Sequence, residues 1–262
     1  MSSAATQRFD RIAQNFATSE VHAKSASIQR LHELIELPED LAVIDIACGA
    51  GHLALSFGGR AHRIVGVDGA PTMLATFKGL AAARNLPVEI MLAMSESVPL
   101  PTSSFDVAVS RLAPHHFPNL QASVDEMARL LRPGGFLGII DLHGYEEVEL
   151  DEFNHELELL HDPTHIRSHK PSIWRSALSA AGLETVFFET HRRESPGGIT
   201  VNRWCEIAAS GDFAEHSIRS ALAAASVETL NALGIVRAPT GADFLIPVRT
   251  LLAVARKPTG QQ

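Results

Sequence analysis

Five short apolar runs of strand length, separated by stretches with helical periodicity, constrain this 262-residue chain more than any other feature. They are LAVIDIA (41–47), HRIVGVD (62–68), VEIMLAM (88–94), SFDVAVS (104–110) and GFLGIID (135–141). Their nearly continuous apolar character predicts strands buried on both faces, as in a parallel sheet. Between them, MLATFKGLAAARN and LQASVDEMARLLR repeat apolar residues at intervals of three and four. Each stops at a breaker, Asn85-Leu86-Pro87 and Pro133-Gly134-Gly135 respectively. Alternation of this kind predicts right-handed βαβ units, an α/β fold with helices on both faces of the sheet.

The rhythm changes after Asp141. A helical segment, a Pro-containing turn and several histidines occupy residues 144–170, and a largely helical stretch over 200–240 precedes the run FLIPVRTLLAVAR (244–256), read as one strand. With LETVFFET (183–190) this completes the strands. The expected organisation is a single domain over 1–262, with an N-terminal arm at 1–37 and two helical insertions forming a lid.

Net charge is −8 with no lysine or arginine run, which argues against nucleic acid and anionic membrane as partners. No stretch approaches the roughly 18 uncharged apolar residues of a membrane span. Cys48 and Cys205 are too few for a disulfide framework and lack CxxC spacing. These features predict a cytoplasmic protein, monomer or homodimer, acting on a small molecule.

The stretch VIDIACGAGHLAL (43–55) runs from a strand through a glycine loop into a helix. Gly49 and Gly51 allow a sharp turn and close backbone approach to a ligand, with a helix N-terminus behind them. Asp68 ends the second strand 23 residues after Asp45, close to the roughly 20-residue offset at which an acid receives ribose hydroxyls. Asp45 discriminates between ligands. A carboxylate beside the loop repels an anionic pyrophosphate but suits the cationic ammonium and sulfonium of S-adenosylmethionine.

Together with the strand-end VGVD, FDVAVSR and LLRPGG, the loop resembles the motif series of class I S-adenosylmethionine-dependent methyltransferases. RLAPHHF and NHELELLHDPTHIR narrow the resemblance to a small-molecule branch related to ubiquinone and menaquinone C-methyltransferases. The resemblance implies a Rossmann-like, seven-stranded, mostly parallel sheet with an antiparallel last strand. It also implies that Asp45, Gly49 and Gly51 hold the methionine end, that Asp68 receives the ribose and that Met73 flanks the adenine. Arg111, Leu112 and His115 would line the sulfonium side, with Ala47, Gly69, Met94 and Ser95 as further cofactor contacts. Two departures stand out: Met94 and Ser95 occupy the place of a frequent adenine-binding Asp, and Phe16 that of a frequent Tyr.

Seven of the 13 histidines fall between His115 and His169. Histidine is the side chain best matched to proton transfer near neutral pH, and methyl transfer needs a nucleophile aligned and, where required, deprotonated. The expected catalytic residues are His116 or His165, with Asp162 orienting one of them. Phe16, His22, Arg167 and Trp204 are expected on the acceptor, Arg167 or Arg111 neutralising an acidic group, while Trp174 is expected in the core. His161, His165 and His169 are four apart, but Pro163 and Pro171 break any helix that would align them, so no metal is expected. Too few cysteines remain to ligate a metalloid substrate. The rival readings are an S-adenosylmethionine-binding enzyme that catalyses a rearrangement or cyclisation, and a nicotinamide-dependent oxidoreductase, which Asp45 and the missing third glycine disfavour.

Overall fold

The computed structural model describes residues 4–17, 26–35, 39–195, 197–239, 241 and 243–260, without the side chains of 12–17. Among these residues the chain runs α1 (Ala4–Ala17), α2 (Ala26–Leu34), β1 (Leu41–Ile46), α3 (His52–Leu55), β2 (Ala61–Asp68), α4 (Pro71–Ala82), β3 (Glu89–Leu92) and β4 (Phe105–Arg111). It continues through a 3-10 turn (Pro114–His116), α5 (Leu120–Leu130), β5 (Leu131–Leu142), α6 (Val148–His161), α7 (Pro171–Ala180), β6 (Glu184–Arg193), β7 (Ile199–Thr200) and α8 (Val201–Ala208). Last come α9 (Asp212–Ala224), α10 (Val227–Leu233), β8 (Val236–Arg237), β9 (Phe244–Ile246) and β10 (Arg249–Arg256).

The main sheet has the order β3-β2-β1-β4-β5-β10-β6. β1 is parallel to both β2 and β4, and β10 is antiparallel to both β5 and β6. All six residues of β1 are buried, which is why the strand reads as an unbroken apolar run. The two-residue period still sorts them. Ala42, Ile44 and Ile46 pack with Met127, Trp174 and Leu178 on the face covered by α5 and α7, whereas Leu41 and Val43 pack with Ile28, Leu31 and Phe57 on the other. Asp45 shares the second parity and points toward α3. Trp174, fully buried, is a core residue as expected.

Strand order reverses between β1 and β4, and ligands of open α/β sheets bind beyond the carboxyl ends of strands at such a switch point. Asp45, the next-to-last residue of β1, and Arg111, the last of β4, stand on its two sides.

The run 244–256 is two strands rather than one. Pro247 lacks an N–H for a ladder and interrupts it; β10 joins the main sheet, while β9 pairs with β7 and β8 in a small antiparallel sheet. That sheet, α6 and α8–α10 enclose a separate apolar cluster containing Leu157, Trp204, Ile218, Leu222, Leu233 and Ile246. The two insertions therefore pack on one another as one cap above the carboxyl ends of β4 and β5. No helix among the described residues is long and apolar enough to cross a membrane.

Candidate active site

The loop between β1 and α3 turns through left-handed backbone at Ala47, Gly49 and Gly51, with φ of 54°, 52° and 80°. At Gly51 the requirement for glycine is doubled, because a Cβ there would lie 1.9 Å from Phe77 Cδ2. Gly51 thus shapes the loop without lining the cleft beside it. That cleft holds about 1050 Å³ of atom-free space including its open mouth. Asp45, Ala47, Gly49, Asp68, Gly69, Met73, Met94, Ser95 and Arg111 all line it. Ala5, Thr6 and Phe9 of α1 form its outer wall, and Asp10 fastens this arm by accepting the Thr72 amide at 2.8 Å.

Asp68 accepts the amides of Gly49 and Ala70, each at 2.8 Å, so it braces the glycine loop while facing the cleft. Its carboxylate oxygens keep lone pairs for hydroxyl donors. Asp45 is 2% exposed and its Oδ2 accepts the Ala54 amide at 3.1 Å. Burial pushes its pKa up to about 8, and that amide and the Arg111 charge only partly offset the rise. A carboxyl kept this far from ionisation by burial, on the wall of a cleft, is completed by a cationic ligand. The donor set therefore fits S-adenosylmethionine: Asp45 toward the cationic amino-acid end, Asp68 toward the ribose, and Met73 and Met94 as apolar surface for the base.

A second cavity, of about 1160 Å³ with its mouth, lies under the cap. Phe9, Leu112 and His116 line both cavities and form the wall between them. Leu112 has φ of 50° although it is not glycine, and its amide is tied to the Ile140 carbonyl at 2.8 Å. A left-handed leucine costs about 1 kcal/mol, and here it stands where the two cavities meet.

Four elements converge on the second cavity with histidines, and each ring has a different environment. His115 Nδ1 lies 2.6 Å from Asp141 Oδ1, with both side chains buried. Burial opposes a charge on the His115 ring, but the Asp141 carboxylate and its hydrogen bond outweigh it, and the pKa rises. His116 donates from Nδ1 to the Thr164 carbonyl at 3.0 Å, and burial with the nearby His115 pushes its pKa down to about 3. His165 is likewise pushed far down, first by burial and then by its neighbouring histidines. Both expected bases are thus held neutral and weakly basic. His115, expected beside the cofactor, faces the second cavity instead of the first.

Asp162 and Trp204 also line this cavity. Asp162 accepts from the Thr164 amide and hydroxyl and pairs with Arg8 of the arm at 3.1 Å; its Oδ2 is 3.8 Å from His116 Nε2, beyond hydrogen-bond reach. Trp204 stacks on His161, ring centroids 4.0 Å apart. Arg167, expected on the acceptor, lines neither cavity and is paired with Asp151 and Glu152. Arg111, expected as a candidate for neutralising an acidic acceptor, is paired with buried Glu194 at 3.5 Å. The side chain of Phe16 and the whole of His22 lie outside the described residues. Asp141, Glu158, Tyr145 and Arg249 were missed. Only Asp141 left a signal, an acid closing an apolar strand just as Asp68 does.

A Rossmann-like sheet with one antiparallel strand, a glycine loop and acid pair at its switch point, and a second cavity separated by a three-residue wall define a cofactor-dependent group-transfer enzyme. A family model described as a methyltransferase domain matches residues 44–139. Over 176 residues the chain is 32% identical to an uncharacterized methyltransferase, YcgJ, of Bacillus subtilis, covering 67% of this chain and 70% of that protein. The YcgJ crystal structure superposes with a TM-score of 0.81 at 28% identity, covering 89% of this chain and 99% of that one. A putative methyltransferase from Bacillus halodurans gives 0.82 at 26% identity, covering 88% and 99%. A demethylmenaquinone methyltransferase of Thermus thermophilus is 35% identical over 101 residues, 38% of this chain and 46% of that protein. The chain belongs to the class I S-adenosylmethionine-dependent methyltransferases.

Proposed function

We propose that this methyltransferase acts on a small molecule bound in the second cavity, with His115, positioned by Asp141, as the proton acceptor. When bound, S-adenosylmethionine supplies an electrophilic methyl group carried on a sulfonium. Direct displacement asks three things of the protein: to bring two molecules together, to keep water out and to take up a proton when the nucleophile carries one. The wall shared by the two cavities is the observation that carries this reading, since it sets two binding spaces on either side of Phe9, Leu112 and His116. The cap and the arm supply the cover.

His115 is preferred to His116 and His165 because its partner is a buried carboxylate, which fixes ring orientation and raises basicity. With Asp141 accepting from Nδ1–H, Nε2 is the nitrogen left to receive a proton. His116 serves as a neutral wall, its Nδ1–H spent on Thr164. Incubation with methyl-labelled S-adenosylmethionine and a metabolite extract tests the function: a labelled small molecule should form together with S-adenosylhomocysteine. Cofactor bound without either product would instead favour a rearrangement or cyclisation.

A further inference from the structure

Arg249 is the one arginine or lysine among the residues lining the second cavity, and it has no carboxylate partner among the described residues. Its Nη1 donates to the Ala232 carbonyl at 2.7 Å and lies 3.4 Å from His191 Nδ1, and its guanidinium sits beside the Tyr145 hydroxyl. Its Nε is buried without a hydrogen-bond partner. Gly234 makes room for this placement, because a Cβ there would be 2.2 Å from Arg249 Nη2.

The remaining charges of the cavity cancel among themselves. Asp162 is matched by Arg8 and the two Thr164 donors, and Glu194 by Arg111 and the Thr250 hydroxyl. Burial pushes Glu158 up to about 7, so it carries at most a partial charge near neutrality. Burial likewise keeps His143 and His161 neutral, each pushed down to about 4, in addition to His116 and His165. Asp141 sits behind the His115 ring it holds and does not line the cavity. The guanidinium is left as the unmatched charge, and the side chains around it, Leu233, Ile235, Ile246 and Val248, are apolar. A half-buried guanidinium without a carboxylate partner, set beside an apolar wall, is complementary to an apolar organic anion.

We propose that Arg249 anchors the carboxylate of the methyl acceptor, whose apolar body lies against Leu233, Ile235 and Ile246, so that the substrate class is an apolar organic acid. The proposal rests on the second cavity being the acceptor site, and its test separates the two claims. Titration calorimetry on the full chain saturated with S-adenosylhomocysteine would compare octanoate, 1-octanol and octylamine, one chain length with three head groups. Octanoate should bind about tenfold or more tightly than either of the others, as one charge-assisted hydrogen bond predicts. Arg249→Met should bring octanoate down to the level of octanol, and Arg249→Lys, which keeps the charge but not the fork, should retain part of the preference. Octanol or octylamine binding as tightly as octanoate would overturn the anion assignment while leaving the cavity as the acceptor site. A preference that survives in Arg249→Met would also overturn it. If none of the three binds, the acceptor-site reading falls and the anchor with it. Should Arg249→Met fail to fold, the wild-type ranking and Arg249→Lys still decide.

Discussion

His115 Nδ1 and Asp141 Oδ1 are 2.6 Å apart, although 26 positions separate them in sequence. They meet because β4 and β5 are parallel neighbours with Arg111 opposite Ile140, which brings the turn after β4 beside the end of β5. A carboxylate buried behind a histidine in this way raises the basicity of the ring's other nitrogen and fixes its direction.

On the proposed role, His115→Gln should lower kcat by about 10²–10³-fold with little change in cofactor Kd, since His115 lines the second cavity and not the first. His116→Gln and His165→Gln should cost far less. With His115 as the proposed base, the wild-type rate should climb as pH rises, and the climb should lie above the ordinary histidine pKa because Asp141 raises it. Asp141→Asn removes that support and should move the climb to lower pH. Steady-state pH profiles check the wild type and all four variants.

Asp45→Asn should stabilise the ligand-free protein while weakening cofactor binding. With its folded pKa raised to about 8, Asp45 is protonated in the folded chain but ionised in the unfolded one across neutral pH. Its contribution to stability therefore falls as pH rises from the unfolded carboxylate range toward 8. Cofactor affinity should run the other way, tightening between about pH 6 and 8 as the carboxylate that meets a cation becomes available. Thermal melts and calorimetry across that range should show both trends in the wild type and neither in the variant.

Gly51→Ala places a Cβ 1.9 Å from the Phe77 ring at a φ of 80°. A loss of about 2–4 kcal/mol in stability is expected, together with weaker cofactor binding, because strain and overpacking both fall on the loop. Chemical denaturation and cofactor titration measure the two effects.

Arg167→Ala should leave kcat and KM within about twofold, since Arg167 lines neither cavity. It should still cost stability, on the order of 1–3 kcal/mol, by taking a partner from Asp151, which is 2% exposed and retains Lys170 at 3.6 Å and the Tyr145 amide. A kinetic loss without a stability loss would contradict the placement.

Local spacing and periodicity made the cofactor half of this protein legible from its residues. The strands could be read because each is a short apolar run, and the loop because glycines, Asp45 and Asp68 sit at offsets fixed by one βαβ unit. An acid at position 45 beside the glycine loop favours a cationic ligand over a pyrophosphate, and that preference is local in sequence. The second cavity depends on tertiary structure, because its wall is drawn from Phe9 in the arm through His115 and Trp204 to Arg249 at the start of the last strand. No periodicity links such distant positions. Equal-looking histidines acquired different basicities only once burial, Asp141 and the Thr164 carbonyl were placed around them. Likewise Pro247 marks a break, but only the pairing of β9 with β7 and of β10 with β5 decides that the two halves of one apolar run belong to different sheets.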